Sequence, residues 1–326
     1  MKNISVYIVI ITGALFGNLS FVQAADEDDW RKTTILQTYL QSYDGNTSRQ
    51  FGFNAGAYIN ADYLDSGSLE FGYNYSFIGF DHNAELTEHL FYISGRYHLF
   101  PDALPGKVTL RLDAYYGDDT LRYNVNNPPG MTGGGGMGNK MGGSSSTISE
   151  STDISAYQPQ LAFINFSKTF YADLGYAYSE YDGTVKTEVD QITPTIGFGW
   201  NESYDWLQFR GYFITVDPTS SSSSDDNYES LEIIYTHWFS DAPSSLIEFW
   251  QLAAILGERL LAIDPDAAVI YSTADKQTAS FTTSVQWKLS EYSRVLALVN
   301  YNQYENNTQN DDYDSLLFYV NLQRQW

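Results

Sequence analysis

The sequence predicts an all-β fold: a transmembrane, antiparallel, up-and-down β-barrel of about 14 strands, with counts of 12 and 16 left open. Three observations predict it. Segments of eight or more residues alternate oily and polar side chains, which is the period of a strand with one wet face. Aromatic residues reach 16% of the 326 positions, with 27 Tyr and 19 Phe, while charged residues are held to 17%. Beyond the first two dozen residues, no stretch supplies the roughly 18 consecutive apolar residues of a membrane helix. The best one, 246–263, is broken by Glu248, Glu258 and Arg259. A chain that spans a bilayer without such a helix does so with strands closed on themselves, so that no backbone edge is left unpaired in hydrocarbon.

Met1 to Ala24 reads as a signal peptide, with Lys2, an apolar run from Ile4 to Phe16, and Val22-Gln23-Ala24 as a small-residue cleavage site. The mature chain, 25–326, is then a single barrel domain that opens on the acidic lead-in ADEDDW. A first strand is expected at 31–42, ended by the turn residues Asp44-Gly45-Asn46. The second, 49–61, sets Phe51, Phe53, Ala55, Ala57 and Ile59 against Gln50, Gly52, Asn54, Gly56 and Asn60. The third sets Leu69, Phe71, Tyr73, Tyr75 and Phe77 against Ser68, Glu70, Gly72, Asn74 and Ser76. Further strands read at 88–98, 107–117, 154–166, 168–181, 188–200, 204–216, 228–239, 278–289, 292–304 and 313–326. Residues 246–256 do not alternate and would suit a helix equally, but counting them as one strand gives an even total.

The last strand, SLLFYVNLQRQW, carries Leu316, Phe318, Val320 and Leu322 on one face and ends on Trp326. Phe318, Val320, Leu322 and Trp326 resemble the C-terminal insertion signal of Gram-negative outer-membrane β-barrel proteins. Arg324 departs from that pattern. The resemblance implies an outer-membrane location, insertion by the barrel-assembly machinery, and outer-membrane lipid and lipopolysaccharide as surroundings. It leaves room for a homo-oligomer.

Such barrels have short turns on the periplasmic side and long loops outside. With a periplasmic N-terminus, the connections near 62–67, 99–106, 167, 201–203, 240–244 and 290–291 are the short ones. Those at 118–153, 217–227, 257–277 and 305–312 fall outside. All seven tryptophans, Trp30, Trp200, Trp206, Trp238, Trp250, Trp287 and Trp326, lie near predicted periplasmic strand ends, as an interfacial belt requires.

The polar register supplies the candidate lumen residues: Glu70, Arg96, Arg111, Asp113, Asp173, Arg210, Glu232, Lys288 and Arg294. Their charges nearly cancel, so most of the net charge of −23 is assigned to loops and termini. Facing acids and bases would set a transverse field across a water-filled pore. Paired, they would instead hold a closed lumen together. The net charge excludes a nucleic-acid binder that relies on phosphate contacts. The acidic clusters at 118–119, 225–226, 264–266 and 311–314 read as a solvated, cation-attracting surface, with no calcium-loop spacing. Residues 128–153 are rich in Gly, Met and Ser and are expected to form an extracellular or lumen-inserted loop. Within them Met131, Met137 and Met141 are soft-metal candidates set against plain apolar filling.

No cofactor and no enzymatic activity are expected. The four histidines, His82, His89, His98 and His237, form no nucleophile–base spacing, and His82 beside Asp81 and His237 near Ser240 are the nearest approaches. The expected function is porin-like passive diffusion of small hydrophilic solutes or ions. The alternative is a structural or secretion-linked barrel serving an extracellular polymer or partner complex, and less so an outer-membrane hydrolase.

Overall fold

A computed structural model describes residues 30–45, 47–64, 66–124, 147–218, 226–239, 246–264, 266, 269–270, 275–306 and 311–326. The strands are β1 (Trp30–Gly45), β2 (Arg49–Tyr63), β3 (Gly67–Phe80), β4 (Glu85–Leu99), β5 (Gly106–Asn124), β6 (Thr147–Asn165), β7 (Phe170–Asp182) and β8 (Lys186–Trp200). They continue with β9 (Asp205–Pro218), β10 (Asp226–Trp238), β11 (Ile247–Arg259), the two-residue β12 (Ile263–Asp264) and β13 (Val269–Ile270), β14 (Lys276–Lys288), β15 (Ser293–Asn306) and β16 (Asp311–Gln325). All but β12 and β13 join in one closed antiparallel barrel of sequential neighbours, which is the predicted architecture at the predicted count. Closure is made by β1 against β16, in register from Thr33 opposite Gln325 to Gly45 opposite Tyr313.

The wall is inside out relative to a soluble protein. Phe71, Phe91, Leu161 and Leu174 are each more than half exposed on its outer face, where hydrocarbon would cover them. Asn74, Asp113, Gln191 and Arg210 are buried on its inner face. The 14 residues of β3 would span about 35 Å if tilted by about 40° at about 3.3 Å per residue. That exceeds the apolar band of about 25 Å, so strand ends stand clear on both sides.

The connections segregate. Among the described residues, one end of the barrel carries the short turns 100–105, 166–169, 201–204 and 289–292, and the same end holds the close of β2 and β10 and the start of β3 and β11. All seven tryptophans lie at the turn end. Trp206 is turned into the lumen, its ring lying across Gly197 and Gly199, where any side chain would collide with it.

Two expectations are corrected and one open point is decided. Strands β5 and β6 run seven residues further at the loop end, to Asn124 and from Thr147, so residues 147–153 are strand and not loop. Above the hydrocarbon band the outer face has no need to be oily, so the ladder continues while the alternation stops. Here Asp118, Asp153 and Asp182 stand side by side on three adjacent strands, so part of the excess negative charge sits on the barrel's outer rim. The segment 246–256, counted as a strand although a helix would have suited it equally, is strand β11, with register shifts between Ile247 and Phe249 and between Leu256 and Arg259. Gly257, at φ +104, sits at the second shift, in a conformation that side chains resist. The second correction is the connection 257–277, expected to lie outside, whose described residues Leu260 to Ile263 are buried inside the barrel. The predicted signal peptide, Met131, Met137 and Met141, and Ser240 lie outside the described residues.

Candidate functional site

The connection from β11 to β14 carries an apolar tetrad, Leu260-Leu261-Ala262-Ile263, and an apolar run on a water-facing loop has to find cover. It finds it inside the barrel, where all four residues are buried. They pack in a cluster with Ile154, Ala177, Tyr181, Val189, Tyr212 and Ile214 of the inner wall. The tip is held by backbone mimicry. Gln191 on β8 donates to the Ile263 carbonyl (2.8 Å) and accepts from the Ile263 N–H (3.0 Å), as a neighbouring strand would. Tyr181 donates to the Leu261 carbonyl at 3.4 Å.

Beyond the tip, Arg210 on β9 receives the loop's charge. Its guanidinium contacts Asp266 at 2.8 Å and Glu232 of β10 at 3.3 Å, and donates to Thr195 of β8 at 3.1 Å. Tyr212 also donates to Glu232, at 3.0 Å. The loop is pinned at both roots. Arg259 donates to Gln277 at 2.6 and 2.8 Å and lies over the Tyr212 ring at 4.9 Å. Asp275 forms an ion pair with Arg49 and accepts from Tyr313 at 2.9 Å. The result is a plug seated against β7, β8 and β9.

Replacing Gln191 by Leu would leave the buried N–H and C=O of Ile263 without partners, a cost of roughly 1–3 kcal/mol for each group. The expected outcome is a barrel that folds normally but whose plug tip exchanges amide hydrogen faster at Ile263 than in the wild type. Unchanged exchange there would remove Gln191 from the latch.

All nine predicted lumen residues lie in the inward register, but they do not face one another across a pore. Seven gather on the plugged side, mostly as neighbours. Arg96 approaches Glu70 at 3.8 Å, and Arg111 binds Asp113 on its own strand at 2.8 Å while donating to Tyr92 at 3.2 Å. Asp173 is buried on β7 opposite Thr195, and Arg210 and Glu232 are paired as described. Lys288 and Arg294 instead stand opposite each other at the turn-end mouth, where Lys288 is exposed and Arg294 donates to Glu248 at 3.0 Å. Of the two arrangements expected, facing charges or paired ones, the described contacts are local pairs, with Asp266 of the plug as the acid brought in from outside the wall.

Asp266 experiences two opposed effects. The protein packed around it works to raise its pKa, but Arg210, helped by Arg111 and Arg96, holds its carboxyl below the usual range. Its side chain remains 58% exposed, which fits a group surrounded by barrel wall yet open to lumen water.

The other candidates separate. Phe318, Val320 and Leu322 face outward on β16; the Trp326 indole donates to Thr34 at 3.0 Å, and the Lys32 ammonium lies 5.4 Å over its ring. His82 sits in the turn Asp81–Asn83 at the loop end. His237 lies at the other end, 2.7 Å from Asp205, which also accepts from Tyr235 at 2.7 Å. The two histidines therefore belong to opposite mouths.

No protein-family model matches the sequence, and no curated protein matches it. Among solved structures, a Pseudomonas aeruginosa FadL homologue superposes with a TM-score of 0.52 at 6% identity, covering 91% of this chain and 90% of that one. The P. putida toluene transporter TodX gives 0.51 at 8% identity over 91% and 90%. The deltaS2 mutant of the TodX monoaromatic hydrocarbon channel gives 0.52 at 9% over 92% and 91%. At these identities what is shared is the fold. The chain has the fold of a 14-stranded outer-membrane β-barrel.

Proposed function

We propose that this chain is a channel of a Gram-negative outer membrane, passing small hydrophilic solutes passively and narrowed by the plug formed between β11 and β14. The observation that carries the reading is the division of one closed wall into an oily outer face and a polar inner face. That polar inner face supplies the wet interior through which a hydrophilic solute could pass. A hydrocarbon cargo, as named for TodX, would need a bare apolar inner surface. Here the apolar patch of Ile154, Ala177, Val189 and Ile214 is covered by Leu260 to Ile263. A hydrolase reading finds little support in His82 and His237, which lie at opposite ends of the barrel. The acidic outer rim suits divalent cations that bridge to lipopolysaccharide.

The test is planar-bilayer conductance of refolded protein. Discrete open-channel steps are expected. Silence from protein that keeps its barrel circular-dichroism spectrum and its heat-dependent gel mobility would overturn the proposal.

A further inference from the structure

The plug divides the lumen into two unlike walls. It seats on β7 to β9, which places the run β14, β15, β16, β1 and β2 across the barrel from it. Along that run, charge is confined to the mouths. At the loop end stands Arg49 with Asp275. At the turn end stand Arg31 with Asp62, Lys288, and Arg294 with Glu248. Between the mouths the inner face carries amides, hydroxyls and tyrosines, with Ile35, Leu296, Leu298 and Leu317 set among them as uncharged apolar positions.

The polar groups gather in two local hydrogen-bond clusters. Gln37 donates to Asn74 and to Tyr58, both at 3.1 Å, and accepts from Tyr319 at 2.8 Å. Asn300 donates to Ser280 and to Thr282, both at 2.7 Å. Gln37, Asn300 and Tyr319 are only half-buried, so they meet the lumen as well as each other.

We infer that solutes travel between the plug and this wall, and that the class it selects is uncharged and hydroxyl-rich, such as sugars and polyols. The inference rests on the channel reading above and names the solute for it. A hydroxyl both donates and accepts, and so does a primary amide, so each can take over the other's hydrogen bond without an unpaired group. An ion squeezed past the plug loses hydration that neutral dipoles restore poorly, and the wall offers no track of charges to replace it. Tyrosine rings supply flat apolar faces for the CH faces of a sugar ring. The net charge of −23 adds a field that disfavours anions before they enter.

The experiment uses the full chain in liposomes and planar bilayers. Swelling should be several times faster with neutral pentoses and hexoses than with glutamate or lysine of similar size. Equal or faster entry of the charged solutes would overturn the inference while leaving the channel standing. Absence of both swelling and conductance from folded protein would instead overturn the channel itself. Gln37→Leu and Asn300→Leu should each lower sugar flux about fivefold, the effect of one lost hydrogen bond. The near-isosteric Gln37→Glu and Asn300→Asp, which keep the packing, should convert the channel to cation preference. If flux and selectivity are unchanged in all four folded variants, the route does not follow this wall.

Discussion

Replacing residues 260–275 with a short glycine-serine turn is expected to raise single-channel conductance several-fold without unfolding the barrel. Among the described residues, this segment supplies the lumen contents that are not wall. It brings Leu260 to Ile263 and Asp266 inside, while the 14 strands close through their own ladders and do not need it for pairing. Strands β11 and β14 pair from Ile247 opposite Trp287 to Arg259 opposite Gln277, so a short turn can join them at the loop end. Removing the tetrad exposes Val189, Ile214 and Tyr212 to the lumen. The open variant should therefore admit apolar solutes that the wild type excludes, and aromatic alcohols would report that directly. A folded deletion variant with wild-type conductance would show that the narrow point lies elsewhere. Deleting 130–147, within the Gly-, Met- and Ser-rich stretch expected to form an extracellular or lumen-inserted loop, is the natural companion measurement.

The contrast between those two loops shows what was legible in the sequence. A strand that faces hydrocarbon must be oily at every second position, and Leu69, Phe71 and their counterparts recorded that demand plainly enough to count the strands. Where the demand lapses, the record lapses with it. Beyond Gly117 the outer face of β5 meets water, so Asp118 and Thr120 read as loop although the backbone is paired up to Asn124. In β11 the register shifts break the alternation that would have marked it.

Register also told which charges point inward, because parity is a local property. It did not tell which wall they share, because that depends on strand neighbours and on a plug arriving from 50 or more residues away. Gln191 was missed as a site residue for this reason, and Asp266 was read as part of an outer acidic surface. A signal was present. Leu260 to Ile263, flanked by Arg259 and Asp264, is too apolar for a loop in water, and that alone argues for an inward turn.

Arg210→Ala is expected to be the most damaging single substitution in the lumen. Arg210 is 3% exposed and neutralises Glu232, itself 8% exposed, while holding Asp266 of the plug. Removing it strands the Glu232 carboxylate in a buried site, a loss of about 3–5 kcal/mol for a broken buried ion pair. The measurement is the urea midpoint of the barrel in detergent. The double variant Arg210→Met with Glu232→Leu should recover most of the loss, because no buried charge is then left unpaired; failure to recover would place the damage in packing. The same arginine predicts a pH response. The Asp266 carboxyl is held below its usual value by Arg210, so its contribution to plug closure is present above the unfolded pKa of about 4 and is lost as pH falls through the lower folded value. Conductance should therefore rise on acidification below about pH 4. In Asp266→Asn it should already be raised at neutral pH and no longer follow acid in that window. A wild-type channel whose conductance does not change across that window would separate Asp266 from the gate and leave Gln191 and the apolar tetrad as its holders.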